Sequence, residues 1–93
     1  MKNIVDADLK ISDVFIYEYL NVKKHRYIAY TVCRNEDGIT FDDIIRIKGT
    51  MDTVRHNFLS DDTADNIKNK FVFIEKLDCT IENLKEKYPQ YFI

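Results

Sequence analysis

Between Arg26 and Lys48 two apolar-rich runs, RYIAYTVCR and ITFDDIIRIK, flank the short polar tetrad Asn35-Glu36-Asp37-Gly38. Asp-Gly between two such runs is the strongest local signal for a β-hairpin, because glycine takes up positive φ without a steric penalty. With Asp37 and Gly38 as the central turn residues, Glu36 faces Ile39, Arg34 faces Phe41, Val32 faces Asp43, Tyr30 faces Ile45 and Ile28 faces Ile47. Side chains alternate across a strand. One face therefore collects Ile28, Tyr30, Val32, Phe41, Ile45 and Ile47, and the other Tyr27, Ala29, Thr31, Cys33, Asp42, Ile44, Arg46 and Lys48. A four-residue loop keeps this sorting and a three-residue loop reverses it. The first set is the expected core face. Asp43 is its misfit, since an unpaired carboxylate in an apolar core costs several kcal/mol. It is expected at the sheet margin or paired with Arg34.

The rest of the chain is read outward from this ribbon. Asp13–Leu20, DVFIYEYL, is aromatic and β-branched and reads as a strand pairing antiparallel with Arg26–Arg34. A turn centred on Lys23-Lys24 groups Phe15, Tyr17 and Tyr19 with Ile28, Tyr30 and Val32. A three-residue loop groups Val14, Ile16 and Leu20 there instead. Both faces of this strand are apolar, so either the sheet is covered on both sides or one side meets a partner. Residues 2–11 have no clear period and suit a short edge strand or an ordered arm.

After Gly49 the period lengthens. Met51, Val54, Phe58 and Leu59 fall on one helical stripe behind Thr50 as N-cap, with Asp52 near the positive end of the helix dipole. A second helix is expected after Ser60, opened by Asp61 and Asp62, closed by Lys68 and Lys70, and carrying Ala64, Ile67 and Phe71 inward. Phe71–Leu77, FVFIEKL, reads as a fourth strand, with a continuous helix from Asp62 to Leu77 as the competing assignment. Thr80 caps a last helix over Ile81–Tyr88, which Pro89 stops, and Tyr91, Phe92 and Ile93 are expected to tuck against the core. The sum is one compact α+β domain over residues 1–93. It holds an antiparallel sheet of three to four strands, a meander around the Asp-Gly hairpin, with two to three short helices packed on one face.

Composition narrows the function classes. The chain has 93 residues, 45% hydrophobic and 32% charged, the balance of a globular domain. A net charge of −2 supplies neither a basic stripe for broad nucleic-acid binding nor the dense acidity of a nucleic-acid mimic. No apolar run is long enough to span a membrane. The N-terminus lacks the apolar core of a secretion signal, and the two distant cysteines, Cys33 and Cys79, are expected as reduced thiols in a cytoplasmic protein. The abundance of Ile, Lys, Asp and Asn follows the codon bias of an AT-rich genome.

Four chemical constellations are weak. Asp52 and His56 sit one helical turn apart, but no third or fourth ligand has a metal-site spacing. Asp61, Thr63 and Asp65 open like a calcium loop, yet Asn66 stands where its glycine belongs and Val72 where its bidentate Glu belongs. Neither Cys33 nor Cys79 is tied by a motif to His25 or His56, although a helix start at Cys79 would lower its pKa. Asp42 and Asp43 are adjacent on a strand and so point to opposite faces. Gly38 and Gly49 are the sole glycines, so no phosphate loop exists. No catalytic motif, cofactor site or metal site is expected.

The densest positive cluster, Lys23-Lys24-His25-Arg26, lies beside Tyr17, Tyr19 and Tyr27. These seven residues form the candidate binding surface. A basic loop among tyrosines suits docking on a larger protein. It also suits gripping single-stranded nucleic acid by phosphate contact and stacking, or it is a solvated turn that protects a sheet edge. The expectation is a small cytoplasmic interaction protein that binds and modulates, or inhibits, a larger protein, with the size and composition of phage or mobile-element accessory proteins. A single-strand nucleic-acid-binding domain is the alternative. Self-association into a homodimer is expected if the aromatics of Asp13–Leu20 face outward.

Overall fold

The computed structural model of the chain describes residues 2–20, 25–49, 54–59 and 70–92. Among these, strands β1 (Lys2–Asn3), β2 (Val14–Tyr19), β3 (His25–Asn35), β4 (Gly38–Arg46), β5 (Arg55–Leu59) and β6 (Phe71–Leu77) form one sheet. Their order is β1-β6-β2-β3-β4-β5, and every neighbouring pair is antiparallel. Strands β2 to β5 follow one another as a meander, and β6 returns to the free side of β2. This makes β2 the central strand. Val14, Phe15, Ile16 and Tyr17 are at most 2% exposed.

The two apolar faces of β2 are both covered by the chain itself. On one face Phe15 and Tyr17 pack with Ala29, Ile39, Phe41, Phe58 and Phe71 beneath an N-terminal arm that supplies Ile4, Val5, Ala7 and Leu9. That arm is β1 followed by a 3-10 turn, Ile4–Asp6, and Asn3 caps the turn by accepting from the Asp6 amide. On the other face Val14, Ile16, Ile28, Ile45 and Leu77 pack with Leu84 and with the half-buried Tyr88, Tyr91 and Phe92 of the C-terminal segment. Tyr91 and Phe92 thus tuck inward as their apolar character requires.

The expected α+β arrangement of two to three helices on one face is overturned. Among the described residues there is a single one-turn α-helix, α1 (Leu84–Lys87), and two 3-10 turns, Ile4–Asp6 and Pro89–Tyr91, and they lie on opposite faces of the sheet. The described residues form a sheet with a thin irregular cover on each side. The helix expected behind Thr50 is also overturned where it can be seen, because Arg55–Leu59 is strand. His56 and Phe58 point into the sheet's aromatic face while Arg55 and Asn57 are exposed. This period of two lies inside the span that a helical stripe also fits. The Thr50 cap, Asp52 and residues 60–69 of the expected second helix lie outside the described residues, and the last two residues expected in it, Lys70 and Phe71, are a turn residue and the first of β6. The strand Phe71–Leu77 forms as expected, and Thr80 begins the last turn by exchanging hydrogen bonds with Asn83 (2.7 and 3.3 Å), but regular helix is confined to its second half.

The central hairpin forms with its register displaced. Its turn residues are Glu36 and Asp37, not Asp37 and Gly38, and Asn35 pairs with Gly38. The Asn35 side chain holds the turn, its Oδ1 accepting from the amides of Asp37 (2.8 Å) and Gly38 (3.1 Å). Two bulges then re-sort the faces, one placing Val32 extra on β3 and one placing Ile44 extra on β4. Between them Phe41 pairs with Thr31 and Asp43 with Ala29. Beyond them Ile45 pairs with Ile28. The single core face expected for Phe41 and Ile45 is therefore split. Phe41 joins the N-terminal face with Tyr17, and Ile45 joins the C-terminal face with Ile28. On β2, Phe15, Tyr17 and Tyr19 oppose Ala29, Tyr27 and His25, while Val14 and Ile16 oppose Tyr30 and Ile28.

Phe15 is fully buried and touches Tyr17, Phe41 and Phe73 ring to ring. Phe15→Ala should cost about 3–5 kcal/mol, read as a lowered urea midpoint. Ile11→Ala at a position 61% exposed should shift stability by no more than about 0.5 kcal/mol.

Candidate functional site

Asp43 lies two residues from Phe41 in unbroken register and so points into the aromatic face, where it is 4% exposed. Two side chains from different strands meet it. Tyr17 Oη on β2 donates to Asp43 Oδ1 at 2.6 Å, and His56 Nε2 on β5 lies 3.0 Å from Oδ2. A carboxylate only accepts, so a hydrogen bond to it at this contact requires the His56 hydrogen on Nε2. Tyr17 Oη and His56 Nε2 are 3.5 Å apart, both aimed at one carboxylate. Around them the His56 ring stacks on Phe41 (centroids 4.9 Å, 30°) and meets Phe71 and Phe58 at 5.5 and 5.9 Å. The expected placement of Asp43 at the margin or on Arg34 is corrected. Arg34 Nη2 instead donates to the Val5 carbonyl (2.6 Å) and fastens the N-terminal arm.

This cluster is a structural clasp. It ties β4 and β5 to the central strand with two hydrogen bonds to a charge, and such bonds are about twice as strong as neutral ones. It also satisfies a carboxylate that would otherwise be costly to bury. Two clefts lined by described residues lie elsewhere. One, of ≈ 360 Å³, is bordered by Asp13, Lys76, Leu77, Asp78 and Cys79. The other, of ≈ 100 Å³, lies by the hairpin turn between Cys33, Asn35, Gly38, Thr40 and Asn57.

The candidate binding residues divide three ways. Tyr17 is a core residue, 1% exposed, and offers no surface to a partner. Lys23 and Lys24 lie outside the described residues. Tyr19, His25 and Tyr27 come together at one end of the aromatic face, where Tyr19 opposes His25 and Tyr17 opposes Tyr27. Both exposed-side tyrosines are half-buried and held by stacking, Tyr19 on Phe71 (4.6 Å, 14°) and Tyr27 on Tyr17 (5.3 Å, 14°). Arg46, opposite Tyr27, joins them and reaches His25, Nη1 to Nδ1 at 3.4 Å. Arg46 is expected from the sequence on the face of Tyr27 but not in the candidate site, because it is remote in sequence from the basic loop and only β3–β4 pairing brings it to His25. Arg26 points to the other face and pairs with Glu18 at 3.7 Å, so the basic cluster is not one surface.

The other constellations fare as follows. No group of three or more His, Cys, Asp or Glu able to hold a metal exists among the described residues. Cys79 stands five residues before the start of α1 at Leu84, and burial pushes its thiol up, with Lys87 opposing and Asp78 adding to the shift. The expectation of a pKa lowered by a helix start is thereby corrected. Cys33 is exposed on β3. Asp42, on the face opposite Asp43, forms a bidentate pair with Arg55 at 2.8 and 3.1 Å. The hydrogen bond from Arg55 holds its carboxyl below the usual carboxylate range.

Two measurements check these pairings. Tyr17→Phe should cost about 1.5–3 kcal/mol, the range for a hydrogen bond to a charged group. The loss should shrink in an Asp43→Asn background, where the charge is gone. The Asp42 contribution is present above the unfolded carboxyl pKa of about 3.9 and fades as pH falls through the lower folded value. Arg55→Gln should therefore flatten the acid limb of stability against pH and leave neutral pH least affected by added salt.

No helix among the described residues is long and apolar enough to cross a membrane. In comparisons with protein-family models, curated proteins and solved structures, none matches this chain.

Proposed function

We propose that the chain is a small cytoplasmic binding protein, not an enzyme, that attaches to a larger protein and modulates it through the end of its sheet where β2 passes into β3. The supporting observation is the group Tyr19, Tyr27, His25 and Arg46, two tyrosines and two basic side chains on one face. Tyr and Arg are the side chains that contribute most where proteins meet. Here the tyrosine rings are already ordered by stacking on Phe71 and Tyr17. A partner would lose little further side-chain entropy in fixing them, and that entropy is one of the main costs of association. The unpaired thiols accord with a reducing compartment. The nucleic-acid alternative has less support. Arg26 is neutralised by Glu18, and acidic residues outnumber basic ones, 16 to 14.

The test compares immobilised wild-type protein with a Tyr19→Ala/Tyr27→Ala double variant of verified fold, each exposed to extract of the native cell. A protein retained by the wild type through high salt and lost by the variant is the expected result. Equal retention by both would remove the patch from consideration. Retention of nucleic acid that falls steeply with salt would replace the proposal with its alternative.

A further inference from the structure

We propose that β5 is a self-association edge, pairing antiparallel with β5 of a second copy about a two-fold axis at Asn57. This inference is independent of the tyrosine patch.

The Asp43 amide donates to the Val54 carbonyl at 2.9 Å. Hydrogen-bonded and non-bonded pairs alternate along an antiparallel ladder. Phe41/His56 and Ile39/Phe58 are then the bonded pairs, and the N–H and C=O groups of Arg55 and Asn57 turn away from β4. Among the described residues no strand pairs with that side of β5. The side chains along the strand leave room for a neighbour: Val54 is 40% exposed, the Arg55 side chain 63%, and Asn57 is exposed. An edge of this kind is usually blunted by proline, by a bulge or by free charges. RHNFL has no proline, the β4–β5 register has no bulge, and its one cation is folded back onto Asp42.

A second copy fits because the strand is complementary to itself. With the axis at Asn57, each Asn57 exchanges both backbone hydrogen bonds with its counterpart, and Arg55 does the same with position 59. His56 of each copy falls opposite Phe58 of the other, extending the aromatic row Phe41–His56–Phe58 across the junction. No like charges face each other. The two Arg55 positions lie four residues apart along the strand, about 13 Å, beyond the screening length of about 8 Å at physiological salt. Net charge of −2 per chain adds little repulsion.

Five residues of edge make a small contact, so association should be weak and visible only at high concentration. Sedimentation velocity from about 5 to about 500 μM should show a monomer–dimer equilibrium for the wild type. Asn57→Lys and Asn57→Glu, both at an exposed site, each place two like charges at the axis. Each should weaken the dimer at least about tenfold at low salt. An equal mixture of the two should restore it as a heterodimer, while circular dichroism confirms that both remain folded. A monomer at every wild-type concentration, a dimer indifferent to both substitutions, or a mixture that stays monomeric would each overturn the proposal.

Discussion

Asp43 sits where hydrophobic burial says no carboxylate should, and the molecule is arranged so that it can. Strand alternation from Phe41 carries the carboxyl to the aromatic face, and one extra residue, Ile44, shifts the phase of β4 immediately after it. There Tyr17 and His56 supply two donors from two other strands. The same shift sends Ile45 to the opposite face beside Ile28. Removing the bulge would rotate every side chain that follows it on β4. The division of the core between Phe41 and Ile45 is therefore the consequence of this irregularity, while the polar cluster follows from Asp43 lying two residues from Phe41.

With its apolar residues divided, the sheet has two greasy sides, and a chain of this length has little left to cover them. It does so with its termini. The N-terminal arm lays Ile4, Val5, Ala7 and Leu9 over Phe15, and Arg34 fastens it by a bond to the Val5 carbonyl. The C-terminal segment lays Leu84, Tyr88, Tyr91 and Phe92 over Ile16 and Leu77. A short helix suffices, since irregular backbone is acceptable on a surface that water reaches. The consequence for interaction is geometric. With the centre of the sheet covered on both faces, the ends and edges of the sheet are among the surfaces left for other molecules. The half-buried tyrosines at the β2–β3 end and the open side of β5 are such places.

Much of the strand content is legible in the residues. FVFIEKL and DVFIYEYL are aromatic and β-branched with no breaker, and they form strands wherever the rest of the chain lies. Arg55–Leu59 is different. His56 and Phe58 inward with Arg55 and Asn57 outward is a strand pattern, but five residues cannot distinguish it from one turn of an amphipathic helix. Pairing with β4 decides it. The candidate site was legible in part. Tyr19, His25 and Tyr27 do meet, since they share strand parity near one turn. Tyr17 shares that parity and is nonetheless buried, because it is two residues nearer the middle of the central strand and lies under Phe41 and Phe71.

By itself the sequence determined the strands around β2, a ribbon folded near Gly38 and the strand Phe71–Leu77, that both faces of β2 would need covering by the chain or a partner, and that Tyr91 and Phe92 would not remain in water. These follow from side-chain hydrophobicity and backbone preference, which act locally. Only the tertiary structure decided the hairpin register, the two bulges, the partners of Asp43 and which end of the aromatic row stays open. Those depend on contacts between residues far apart in the chain, such as Tyr17 with Asp43 and Phe41 with His56, whose energies exist only after the strands have come together.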